Sequence, residues 1–157
     1  MLANSRHSRN SDQKVCTRCS IYQFNIIEIN TKLFTILSGK NLSMIKKLHY
    51  DSVRNLIESY LTINSQLCIV CGPNGAGKTS VLECINILGT GRSFRTHQIN
   101  QVINKEKNKL QVFAELNTGD KIGVERNISN EYNLRINKEN KNRLAVLAEY
   151  LPVRTMT

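Results

Sequence analysis

The chain is 157 residues long, 40% hydrophobic and 22% charged, which allows about one globular domain and leaves no room for a second of similar size. Its formal net charge is +10, from 22 Lys and Arg against 12 Asp and Glu, and this favours polyanionic partners such as nucleic acid. No basic block interleaved with aromatics marks where such a partner would sit, so charge alone names no site.

Residues 1–18 are rich in Ser, Asn and Arg with almost no apolar side chains, a composition that cannot build a core and is expected to be disordered. Arg6, Arg9, Lys14 and Arg18 against Asp12 give it a faint likeness to an organellar presequence. Residues 21–37 are more apolar, but Glu28, Lys32 and several Asn interrupt them, which is too polar for a membrane span. Residues 1–43 are therefore expected to be disordered or an upstream extension, and Met44, which opens the regular pattern, is a candidate start.

Ile45, Leu48 and Tyr50 predict a first strand, residues 51–55 a turn, and residues 57–63 a second strand with Glu58 and Thr62 outward. Residues 66–71 form the next strand. Its apolar run of Leu67, Cys68, Ile69, Val70 and Cys71 reads as a central parallel strand buried on both faces. A helix follows from Ser80 to Leu88, with Val81, Ile85 and Leu88 on one stripe and Gly89, Thr90 and Gly91 as its stop.

Between that strand and that helix lies GPNGAGKT, formed by Gly72, Pro73, Asn74, Gly75, Ala76, Gly77, Lys78 and Thr79. It fits G-x-x-x-x-G-K-[ST] at every fixed position and in the strand-to-helix context that the motif requires. Gly75 and Gly77 can take backbone angles closed to residues with a Cβ, so that successive amides turn inward around a phosphate. The helix adds about +0.5 charge and free N–H groups at the same point, where Ser80 also lies. Lys78 is expected to reach the β- and γ-phosphates, and the Thr79 hydroxyl to ligate Mg²⁺.

Five cysteines stand at 16, 19, 68, 71 and 84, and two C-x-x-C pairs among them invite a zinc reading. Forty-eight residues separate Cys19 from Cys68, too many for a compact ribbon, and strand geometry points Cys68 and Cys71 to opposite faces. Both are expected to be small core residues. An odd count without a signal peptide suggests a reducing, cytoplasmic setting.

Downstream, residues 99–103 predict a short helical turn, and three strands follow. Their inward positions are Leu110, Val112, Ala114 and Leu116; Ile122, Val124 and Ile128; and Tyr132, Leu134 and Ile136. Turn residues at 117–120 and 129–130 make the three an antiparallel meander. Residues 143–151 predict a short amphipathic helix stopped by Pro152.

The segment 44–157 resembles the amino-terminal part of the RecF family, bacterial replication and repair proteins with an ABC-type ATPase head related to the SMC proteins. Arg54-Asn55, the phosphate loop followed by Ser80-Val81-Leu82-Glu83, and Gly91-Arg92-Ser93-Phe94-Arg95 carry the likeness. Ile136-Asn137 and the run from Leu147 to Pro152 extend it; residues 1–43 have no part in it. The fold class implied is α/β (α+β): a P-loop NTPase of ABC type, here an incomplete amino-terminal lobe with an antiparallel meander, occupying 44–157.

The resemblance further implies ATP and Mg²⁺ as cofactors, binding of single-stranded and gapped DNA, loading of RecA with RecR and RecO, and a head-to-head homodimer, in the cytoplasm and without a membrane partner. DNA recombination and the SOS response belong to the same expectation. Val53 departs from the aromatic residue usual in the family, and no ABC signature, Walker B carboxylate or catalytic acid occurs in these 157 residues. Arg154 is no substitute for a Mg²⁺-ligating glutamine. The chain alone is thus expected to supply the phosphate cradle without hydrolysis, and no catalytic residue is assigned. Two alternatives stand beside this reading: another ABC- or SMC-type lobe, such as a transporter ATPase, and an inactive fragment of a decayed gene.

Overall fold

The computed structural model describes residues 25–29 and 43–156. Strands β1 (Asn25–Ile29), β2 (Ile45–Asp51), β3 (Ser59–Thr62) and β4 (Leu67–Cys71) precede the main helix α1 (Lys78–Thr90). A 3₁₀ turn at Ile99–Gln101 leads to β5 (Lys109–Leu116), β6 (Lys121–Asn127), β7 (Tyr132–Ile136) and β8 (Glu139–Lys141), and a second 3₁₀ turn at Leu144–Val146 runs into α2 (Leu147–Tyr150). The expected disorder of residues 1–18 lies outside the described residues.

A six-stranded antiparallel sheet in the order β3-β2-β5-β6-β7-β8 dominates the fold. Period-2 patterning puts every second side chain on the face that meets α1. Two buried rows cross the strands there: Leu48, Ala114, Ile122 and Ile136, then Tyr50, Val112, Val124 and Leu134. Against them α1 buries Val81, Cys84, Ile87 and Leu88, with Leu147 and Leu151 closing one side. Ile85 of the expected stripe is only partly buried, because the face is set by residues 80–81, 84 and 87–88.

Several elements differ from expectation. The second strand shrinks to Ser59–Thr62, leaving Ile57 exposed. Arg126, not Ile128, takes the third inward position of β6; Ile128 lies in the following turn and is exposed. Gly89 is inside α1 rather than at its end. Val153 crosses there so closely that a Cβ on Gly89 would stand 2.4 Å from its Cγ2. The helix stops at Gly91, whose left-handed φ of 72° lets its amide donate to the Ile87 carbonyl at 2.7 Å. The carboxy-terminal helix is a 3₁₀ turn plus four α-helical residues, and β8 is an additional strand.

The largest departure concerns β4. It pairs antiparallel with β1 in a separate two-stranded sheet, with Asn25 opposite Cys71 and Ile29 opposite Leu67. No parallel strand flanks it among the described residues, so Leu67 stays 42% and Ile69 38% exposed. An all-apolar strand is buried on both faces only when layers cover both, and here they do not. Cys68 and Cys71 are accordingly half-buried rather than core, while Cys84 is buried.

Candidate functional site

β4 delivers the chain to Gly72 and α1 takes it up at Lys78, so residues 72–77 form the crossing loop. Gly75 and Gly77 both adopt the left-handed region, at φ 83° and 94°. Gly77 is constrained twice: a Cβ would lie 2.6 Å from Leu56 Cδ2, whereas nothing lies within 4 Å of one on Gly75. Gly77→Ala is therefore expected to destabilise by about 2–4 kcal/mol, from backbone strain plus overpacking, and Gly75→Ala by about 1 kcal/mol from strain alone. Urea midpoints of the two variants test the difference; equal losses would mean that Leu56 yields freely.

The start of α1 is left open. Gly77 offers no side-chain cap, and no acidic residue lies in the first turn, so the free N–H groups and the positive end of the helix dipole meet whatever occupies the loop. Lys78 Nζ folds back to donate to the carbonyls of Gly72 at 2.8 Å and Pro73 at 2.7 Å. It thereby braces the loop's entry and keeps its charge over the loop. Thr79 is exposed at the helix start, and Ser80 is buried.

Ser80 donates to Asn55 Oδ1 at 3.2 Å, and Asn55 Nδ2 donates to the Gly75 carbonyl at 3.0 Å. Asn55 thus ties loop to helix from outside. Its neighbour Arg54 sits at φ 53°, a strained position for a residue with a Cβ, and several bonds hold it there. Its amide donates to Val102 O at 2.7 Å, and Asn104 Nδ2 donates to its carbonyl at 2.8 Å. Its guanidinium grips Glu83 bidentately, Nε to Oε2 at 2.5 Å and Nη2 to Oε1 at 2.8 Å, and its Nη1 donates to Gln101 O at 3.0 Å.

Glu83 is completely buried on α1 and also accepts the Ser93 hydroxyl. The Glu83 hydrogen bond holds Arg54 above its ordinary guanidinium range, against burial and with help from the carboxylate charge. Ser93 Oγ in turn accepts the amides of Arg95 at 3.0 Å and Thr96 at 3.3 Å, leaving Arg92 and Arg95 exposed on a shaped loop. Sequence reasoning picked out Arg54-Asn55, the stretch ending in Glu83 and the stretch holding Ser93 separately; the structure shows that they meet at one carboxylate. Val53 is fully buried and bridged to Ile103, so it presents no stacking surface.

Arg126 was missed by sequence reasoning. Buried at the end of β6, it donates from Nη1 to the Gly91 carbonyl at 2.6 Å and from Nη2 to Asn130 Oδ1 at 2.6 Å. It caps the negative end of α1, and burial, followed by the nearby Arg92 charge, lowers its pKa. The signal was available: β6 continues its alternation through position 126. Among the described residues, no group of three or more His, Cys, Asp or Glu could hold a metal, and no helix is long and apolar enough to cross a membrane.

An antiparallel sheet laid over the helix of a strand–loop–helix phosphate loop defines the amino-terminal lobe of a P-loop ATPase head of ABC type. The family model for the RecF/RecN/SMC N-terminal domain matches residues 44–153, and the chain belongs to that family. It is 43% identical over 116 residues to the DNA replication and repair protein RecF of Shewanella loihica, covering 72% of this chain and 32% of the relative. To RecF of Shewanella sp. strain MR-4 it is 46% identical over 119 residues, covering 74% and 33%. The chain spans about a third of the length of these curated relatives.

Among solved structures, the recombination mediator protein RecF with ATP, of the RecFOR pathway, superposes with a TM-score of 0.58 at 20% identity, over 68% of this chain and 30% of that one. A structure from work on ATP-driven dimerization and DNA-stimulated activation of SMC ATPases gives 0.56 at 15% identity, over 68% and 78%. These likenesses bear on the fold.

Proposed function

We propose that this chain is the ATP-binding lobe of a RecF-type protein of DNA replication and recombinational repair. The observation that supports the reading is the loop from Gly72 to Thr79, which holds two left-handed glycines, an uncapped helix start and one lysine within a single strand-to-helix turn. A triphosphate there would receive the free amides and the helix dipole. Lys78 would exchange the Gly72 and Pro73 carbonyls for β- and γ-phosphate oxygens. Thr79 offers one exposed hard oxygen, which fits Mg²⁺ arriving with its nucleotide, since that ion takes few protein ligands beside phosphates; the ion's contribution is to neutralise phosphate charge. Gly72, Pro73, Asn74, Gly75, Ala76, Gly77 and Ser80 complete the cradle. Single-stranded or gapped DNA, RecR, RecO, RecA loading and head-to-head dimerisation follow from kinship with RecF and concern the whole protein.

Lys78→Ala should remove a charge-assisted contact of about 1.5–3 kcal/mol, a tenfold to hundredfold loss of ATP affinity by calorimetry. Unchanged affinity in folded protein would overturn the assignment.

A further inference from the structure

β1 lies outside residues 44–153, which the family model matches, yet it is the strand that pairs with the phosphate-loop strand. Its five residues pair with all five of β4 in one unbroken antiparallel register, from Asn25 opposite Cys71 to Ile29 opposite Leu67. Cys71 immediately precedes Gly72, so the ladder runs up to the first glycine of the loop and leaves no slack residue between them. Among the described residues no other strand joins β4.

The two ends of the loop are held differently. At Lys78 the chain enters α1, which is packed in the core. At Gly72 the supports are the β1 ladder and Lys78 Nζ, which donates to the Gly72 carbonyl at 2.8 Å and the Pro73 carbonyl at 2.7 Å. A lysine that turns to a phosphate gives up those carbonyls, and the ladder is then what keeps the loop's entry in place. That ladder is weak: a two-stranded ribbon is marginal in water, and little packing adds to it, since Leu67 stays 42% and Ile69 38% exposed. Pairing of β1 is therefore an equilibrium that a small perturbation shifts, and apparent nucleotide affinity falls with the fraction of chains in the competent state.

We propose that β1 is a detachable strap that sets the nucleotide affinity of the phosphate loop. Paired, it holds Gly72 where the loop can close on phosphate; released, it leaves the entry of the loop unsupported. Nucleotide in turn tightens the strap by the same factor, because coupling between two binding events is reciprocal. The proposal rests on the nucleotide reading for its consequence and on the β1–β4 ladder for its mechanism, and the two are measured separately.

The test uses the full chain, with amide exchange of segment 67–71 followed by mass spectrometry and ATP affinity by calorimetry. Successive residues of an antiparallel strand point their N–H groups alternately at the partner and away from it. Of Ile26→Pro and Ile27→Pro, one therefore deletes a ladder bond, while the other puts its ring at the open edge, where proline is tolerated. The first should speed exchange in segment 67–71 and weaken ATP binding, each roughly threefold to tenfold. The second should stay near wild type, and neither should alter exchange in segment 110–116. Glu28→Cys places a thiol opposite the native Cys68, and Asn25→Cys one opposite Cys71, within disulfide reach across an antiparallel pair. With Cys16→Ser and Cys19→Ser as background, oxidation of such a pair should restore ATP affinity to the weakened proline variant, and reduction with dithiothreitol should take the gain away. Wild-type exchange of segment 67–71 in both proline variants would overturn the strap as a support. Faster exchange with unchanged ATP affinity would overturn its control of the loop. No ATP binding by the wild type would overturn the nucleotide reading, and the strap's control of affinity with it, while the exchange data still decide whether β1 holds β4.

Discussion

Arg54→Ala is expected to lower stability by about 3 kcal/mol, because it strands Glu83, which no water reaches, with only the Ser93 hydroxyl as partner. That is a large part of the roughly 5–15 kcal/mol a domain commands, and should lower Tm by on the order of 10 °C. Arg54→Lys keeps the charge but not the fork and should recover only part of the loss. Replacing both partners, Arg54→Met with Glu83→Leu, should recover more, since a buried pair exchanged for apolar groups is often neutral. Arg54→Ala should also weaken nucleotide binding, because the Arg54 loop carries Asn55, which holds the Gly75 carbonyl at 3.0 Å, and the apolar double variant should not restore it. Urea denaturation with calorimetry separates the two readouts. A loss under about 1 kcal/mol for Arg54→Ala would mean that the carboxylate finds another partner or a proton at little cost.

This network also marks where sequence reasoning stops. The meander was legible because three strands alternate strictly, and α1 because its apolar stripe begins at a phosphate loop and ends at Gly91. Periodicity reports which side faces in; it does not report what a buried polar residue meets there. Glu83 and Arg126 stand at inward positions, and their most distant partners, Arg54 and the Gly91 carbonyl, lie 29 and 35 residues away in sequence. β8 escaped, and β3 and α2 came out shorter than expected, because the ends of such short elements are decided by tertiary contacts rather than by local pattern. Val153 packing on Gly89 is one such contact. β4 misled for a different reason: five apolar residues state a need for cover, and whether cover arrives depends on other strands.

The uneven cover of β4 leads to the second large effect. Segment 67–71 is expected to exchange its amide hydrogens at least about a hundredfold faster than segments 110–116 and 122–126, measured by mass spectrometry on the full chain. The six-stranded sheet shares one core with α1, so its amides open only with the whole domain. Among the described residues β4 shares a ladder with β1 alone, and a two-stranded ribbon is marginal in water. The phosphate loop therefore hangs between a firm support at Lys78, on a helix buried in the core, and a soft one at Gly72. Lys78 Nζ, bonded to the Gly72 and Pro73 carbonyls, is the strut across that gap, and a triphosphate that draws the lysine away must supply the bracing itself. ATP with Mg²⁺ should then slow exchange in segment 67–80 through binding to the ordered state alone, and should do so in wild type and not in Lys78→Ala. Equal protection of β4 and β5 without nucleotide would show that strand and sheet open as one unit, and the loop would then be firmly held at both ends.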